Sequence, residues 1–141
     1  MAKDIYHKIV KEALIKDGWT ITHDPYLIPR HKRKPYEADL GAEKFFAAER
    51  DLEKIVVEVK SFIGTSVTYD FHEAFGQYNI YRFFMGRQPQ HNDRLLYLAV
   101  PEEIYNSFFT DVDTEAICEF YKIKIIVFDA EKIEILSWIK R

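Results

Sequence analysis

The run Leu52 to Lys60, L-E-K-I-V-V-E-V-K, constrains this chain most. Side chains on a strand alternate with period two, so Ile55, Val57 and Val59 share one face while Glu58 and Lys60 share the other. An apolar run that closes on two charges predicts the end of a buried strand, not a solvated surface. A second run, Arg94 to Val100 (R-L-L-Y-L-A-V), is apolar almost without interruption. That pattern predicts cover on both faces, as in a central or parallel strand. Helices must supply the cover.

The remaining segments provide them. Ile5, Ile9, Val10, Ala13 and Leu14 recur at helical spacing and predict a helix over 3–17, stopped by Asp17-Gly18. Residues 19–28 read as an extended segment broken by Pro25, an edge strand at best. Residues 29–36 read as a basic loop bounded by Pro29 and Pro35. Residues 37–48 read as a strand, and Glu49-Arg50-Asp51 as a tight turn into 52–60. After a loop over 63–69, Phe71, Ala74, Phe75, Tyr78, Tyr81 and Met85 form the stripe of a second helix over 70–85. Residues 86–93 form a loop before the apolar strand 94–100. Pro101 opens a short helix to about Phe109. A further helix covers 110–121, and strands cover 123–128 and 132–138. The expected fold is a mixed α/β layer around one sheet, in a single domain spanning 1–141.

Composition sets limits on partners. At 141 residues and 48% hydrophobic the chain can bury one core. A net charge of −3 gives no global attraction to nucleic acid. A DNA partner would have to meet the local run Arg30-His31-Lys32-Arg33-Lys34, which is otherwise a solvated loop. The single cysteine, Cys118, allows no internal disulfide and reads as a small buried hydrophobe. No signal peptide and no membrane-spanning run are expected, which points to a soluble cytoplasmic protein.

Asp39, Glu58 and Lys60 are the residues with chemistry to offer. A hard divalent cation such as Mg²⁺ takes one or two carboxylates and keeps several waters. Asp39 and Glu58 are therefore candidate metal ligands, with the Val59 carbonyl as a third donor. Lys60, one pleat repeat from Glu58, could face a phosphate. Chance supplies roughly one Glu-x-Lys in a chain of this composition. Context separates this one, because it follows a strong strand, and sites in open α/β sheets lie at strand ends. The competing reading is a cross-strand salt bridge at a sheet edge. Glu12 flanks the apolar stripe of the first helix and could reach the same cleft or face solvent. Gln77 borders the stripe of the second helix and could touch a phosphate, a water or Lys60. Glu37 and Glu43 share the face of Asp39 by parity. The five histidines show no metal-ligand spacing. Phe83 falls opposite the helix stripe and could mark an oligomer or partner contact.

Asp39, then Glu58-Val59-Lys60, then a helix bearing Gln77, resembles the PD-(D/E)xK superfamily of restriction endonuclease-like proteins. Glu12 occupies the place of the acidic residue that many members carry on the first helix. Ala38 stands where the name motif has Pro. The whole chain resembles the XisH family, through M-A-K-D-I-Y-H, K-P-Y-E-A-D-L-G-A-E, V-V-E-V-K-S-F, A-F-G-Q-Y and the C-terminal strands. The resemblance implies a restriction endonuclease-like fold, a central mixed sheet flanked by helices. It also implies an excision controlling factor for the cyanobacterial fdxN element, which supports a site-specific recombinase and acts with a small XisI-type companion protein. Two functions follow from it. One is a nuclease-like factor with Mg²⁺ on Asp39 and Glu58, Lys60 at the phosphate, Glu12 and Gln77 in support, and Arg30, Lys32, Arg33 and Lys34 on DNA. The other is a non-catalytic regulator that binds the companion protein, the recombinase or DNA.

Overall fold

A computed structural model describes residues 2–36 and 45–141. Helix α1 (Ala2–Lys16) precedes strand β1 (Thr20–His23), the short pair β2 (Ile28–Arg30) and β3 (Arg33–Tyr36), and the hairpin β4 (Phe45–Arg50) and β5 (Glu53–Val59). Helix α2 (Val67–Gly86) crosses to β6 (Leu95–Pro101). A short helix α3 (Glu102–Ile104), a π-helical turn (Tyr105–Phe109) and α4 (Val112–Phe120) lead to β7 (Ile125–Asp129) and β8 (Glu134–Ile139). Six strands form one sheet in the order β1-β4-β5-β6-β7-β8, and β2 and β3 pair separately. The three central strands β5, β6 and β7 run parallel, and the outer pairings are antiparallel. Mixed pairing of this kind agrees with the expected α/β class.

The strand alternation sorts the core into two layers. Val57 and Val59 of β5, with Tyr97 and Ala99 of β6, pack with Val10 and Leu14 of α1. Val56 of β5, with Leu96, Leu98 and Val100 of β6, packs with Phe71, Ala74 and Tyr78 of α2. Strand β6 is thus covered on both faces, as its sequence predicts. Among the described residues, no helix is long and apolar enough to cross a membrane.

Several boundaries differ from the sequence reading. Helix α2 begins at Val67 because Ser66 caps it, its side chain accepting from Tyr69 N at 3.1 Å. The expected basic loop is a two-stranded hairpin, turning at His31-Lys32 with Lys32 at φ 53°. The turn between β4 and β5 falls at Asp51-Leu52, with Asp51 at φ 55°, a conformation Asp tolerates. Leu52, expected at the start of the strand, is 97% exposed on that turn. Of the strand expected over 37–48, only the part from Phe45 lies within the described residues. Cys118 is buried, as expected.

Burial has a consequence at high pH. It pushes the phenols of Tyr26 and Tyr78 up to about 12 and the Cys118 thiol up to about 11. Each group is held protonated by the fold, so the folded state keeps more protons than the unfolded chain above pH 9–10. Their contribution is complete below that range and is lost as pH rises towards 12. Burial raises the Tyr97 phenol in the same sense. Lys124, depressed by burial and by Arg82, acts in the opposite sense, one group against these four among the described residues. The urea midpoint is expected to fall steadily from pH 9 to pH 11. A flat profile would show that these groups titrate alike in both states.

Candidate functional site

Strand β5 places the Glu58–Lys60 pair under α2. By parity with Val56 both side chains leave the sheet on the α2 face, and Lys60 N extends the ladder by donating to Ala99 O at 3.0 Å. Glu58 is 2% exposed and Lys60 8%. Lys60 Nζ lies 3.7 Å from Glu58 Oε2 and donates to Gln77 Oε1 at 2.7 Å. Glu58 lies in β5, a strand held between β4 and β6, and Lys60 is the first residue after it. The pair therefore does not lie on an edge strand of the sheet. Tyr78, one residue beyond Gln77, donates to Leu96 O at 2.7 Å and fixes the helix against β6. Negative charge on Glu58 adds, after burial, to the upward push on the Tyr78 phenol.

The chain turns sharply after Lys60. Phe62 sits at φ 56°, a left-handed conformation that costs a bulky residue about 1–3 kcal/mol. Packing holds it there, its ring edge-on to Phe109 at 5.6 Å. The turn opens a cavity of about 150 Å³ lined by Lys60, Ser61, Gly64, Asp70 and Glu73 among others. Asp70 Oδ2 accepts from Gly64 N at 3.1 Å and closes one wall. A Cβ on Gly64 would lie 2.7 Å from that oxygen. Gly64→Ala is therefore expected to break this hydrogen bond and cost about 1–2 kcal/mol. Urea unfolding checks this, and Asp70→Ala should remove most of the penalty of the alanine.

The sequence-derived candidates separate into three groups. Glu58, Lys60 and Gln77 converge. Asp39, Glu37 and Glu43 lie outside the described residues. Glu12 is exposed on α1, and α1 packs on the sheet face opposite Glu58 and Lys60. The structure does not bring it to the pair. Arg30, Lys32, Arg33 and Lys34 lie on the β2–β3 hairpin, with Arg30 Nε donating to Lys34 O at 2.8 Å. Arg30 and Arg33 line a surface cavity with Phe84. Phe84 is seven residues along α2 from Gln77, about 10 Å. Sequence reasoning missed Asp70, Glu73 and the strained Phe62. A Ser at position 66 with an Asp in the following turn was the available signal for the helix start that positions them. Among the described residues, no three His, Cys, Asp or Glu side chains group to hold a metal.

No curated protein matches this chain. Two solved structures share its fold throughout. An XisH family protein from Nostoc punctiforme PCC 73102 is 39% identical, with a TM-score of 0.86 over 97% of this chain and 100% of that one. A fdxN element excision controlling factor protein from Anabaena variabilis is 40% identical, with a TM-score of 0.86 over 97% of this chain and 99% of that one. The XisH protein family model matches residues 1–136. On that coverage, together with relatives of this identity, the chain belongs to the XisH family.

Proposed function

We propose that this protein is an excision controlling factor that acts on DNA through a nuclease-like metal site of the PD-(D/E)xK type, on a restriction endonuclease-like sheet. The observation that carries the reading is the buried Glu58–Lys60 pair at the C-terminal end of β5, with Lys60 bound to Gln77. Burying two opposite charges is costly and rarely stabilises a fold, so a pair of this kind at a strand end beside an open cavity suits a site. The described donors fit a hard cation in type: Glu58 is a buried carboxylate, and Mg²⁺ needs only one or two such ligands besides water. Asp39 would be the second. Such a cation polarises a phosphodiester and lowers the pKa of bound water. Lys60 would stabilise charge developing on the phosphate. Gln77 orients the ammonium, and the hairpin cations Arg30, Lys32, Arg33 and Lys34 bind the flanking DNA backbone.

A second reading is favoured by a different observation. Phe83 on α2 and Phe120 on α4 are 56% and 76% exposed. Large exposed aromatics suit a protein interface. In that reading the protein is a non-catalytic regulator, docking an XisI-type companion, the recombinase or a second copy of itself. Purified protein with Mg²⁺ or Mn²⁺ and a panel of DNA substrates separates the two. Metal-dependent cleavage that is lost in Asp39→Ala supports the first. No turnover, with a stable companion complex weakened by Phe120→Ser, supports the second and sinks the first.

A further inference from the structure

At the opposite edge of the parallel strands lies a second pocket, of about 150 Å³, between the end of α2 and the starts of β6 and β7. Ile55 pairs with Leu95 near this end, and Lys60, just past the other end of β5, lies five residues further along the chain, about 17 Å away. Arg82, Arg94, Lys124 and Asn92 line the pocket, and among the described residues no carboxylate does.

The charges there are unevenly compensated. Arg94 is met by Glu49 Oε2 at 2.9 Å. Among the described residues Arg82 bonds only neutral acceptors: Lys122 O and Tyr121 O, each at 2.7 Å, and Asn79 Oδ1 at 2.6 Å. These contacts, with the Tyr78 ring 5.0 Å below, fix its guanidinium in place. Lys124 is half-buried, and its ammonium makes no hydrogen bond or ion pair among the described residues. Its backbone N–H donates to Tyr78 Oη at 3.0 Å, which anchors the residue at the pocket wall.

We propose that this pocket binds a phosphate group, with Lys124 and Arg82 supplying the charge and Asn92 a neutral partner. Two cations in one pocket with no counter-anion among the described residues repel each other, and a tetrahedral dianion offers oxygens to each. A fixed guanidinium loses little freedom on binding such a group. Burial, and then the Arg82 charge, push the Lys124 pKa down, so an anion bound beside it would offset that cost. The proposal goes beyond the nuclease reading and does not depend on it.

Calorimetric titration of the whole protein with inorganic phosphate, against chloride at matched ionic strength, tests this. The wild type should bind phosphate, and Lys124→Met should bind it roughly tenfold or more weakly. Without phosphate the variant should withstand at least as much urea as the wild type, since a desolvated charge has gone. No binding beyond chloride, or equal binding in the variant, overturns the proposal. Displacement of a labelled DNA duplex by phosphate, lost in Lys124→Met, identifies the group as a backbone phosphate. Phosphate binding without displacement identifies free phosphate.

Discussion

Lys60→Ala is expected to destabilise the protein by about 3–5 kcal/mol, far more than loss of a surface lysine. The reason is the partner left behind. At 3.7 Å the Glu58–Lys60 attraction is worth roughly 4 kcal/mol in a medium of intermediate polarity. Desolvating two charges costs about as much, so the intact pair contributes little net stability. Removing Lys60 deletes the attraction and leaves the Glu58 carboxylate in its buried position without that cation. Gln77 loses its 2.7 Å donor in the same step. The double variant Glu58→Gln/Lys60→Met should recover most of the loss, because it removes both charges and keeps both volumes. Urea unfolding of the two singles and the double gives the coupling directly. Additive effects across that cycle would mean the two side chains do not interact in solution.

A pair that costs as much as it returns is not explained by folding, and this links its energetics to its legibility in sequence. Period-two alternation was enough to place Glu58 and Lys60 on one face, because a strand has only two faces and Val57 and Val59 occupy the other. The same logic fails for Glu12. Helical spacing tells which side of α1 meets the sheet, but not which side of the sheet α1 covers, and that choice separates Glu12 from the pair. The apolar run of β6 pointed to a central or parallel strand, because such strands are covered on both faces, and β6 is both. The β2–β3 hairpin was hidden by Pro29 and Pro35, which read as loop boundaries. Both residues are tolerated in a two-stranded ribbon, which has edges on both sides. The cavity beside Lys60 depends on Phe62 at positive φ and on Asp70 reaching back to Gly64. Neither follows from a local pattern. Both arise from the approach of α2 to the end of β5.

If the pair is retained for chemistry, substitutions that preserve volume should separate catalysis from stability. Glu58→Gln and Asp39→Ala are each expected to abolish Mg²⁺-dependent cleavage, since each removes a hard ligand of the proposed site. Lys60→Met should lower the rate by about 10²–10³-fold, the usual effect of losing one charged donor to a developing anion. Gln77→Ala should act more weakly, because Gln77 touches Lys60 and not the phosphate. Its signature should be a shifted pH–rate profile, and Gln77→Glu, which keeps an acceptor for the ammonium, should restore part of the rate. Single-turnover cleavage at saturating protein, with folding checked by circular dichroism, distinguishes these outcomes from simple unfolding. Full activity in Glu58→Gln would remove the metal from this strand end. The Glu58–Lys60 pair would then be a structural feature, and the exposed aromatics of α2 and α4 would be the surfaces to test next.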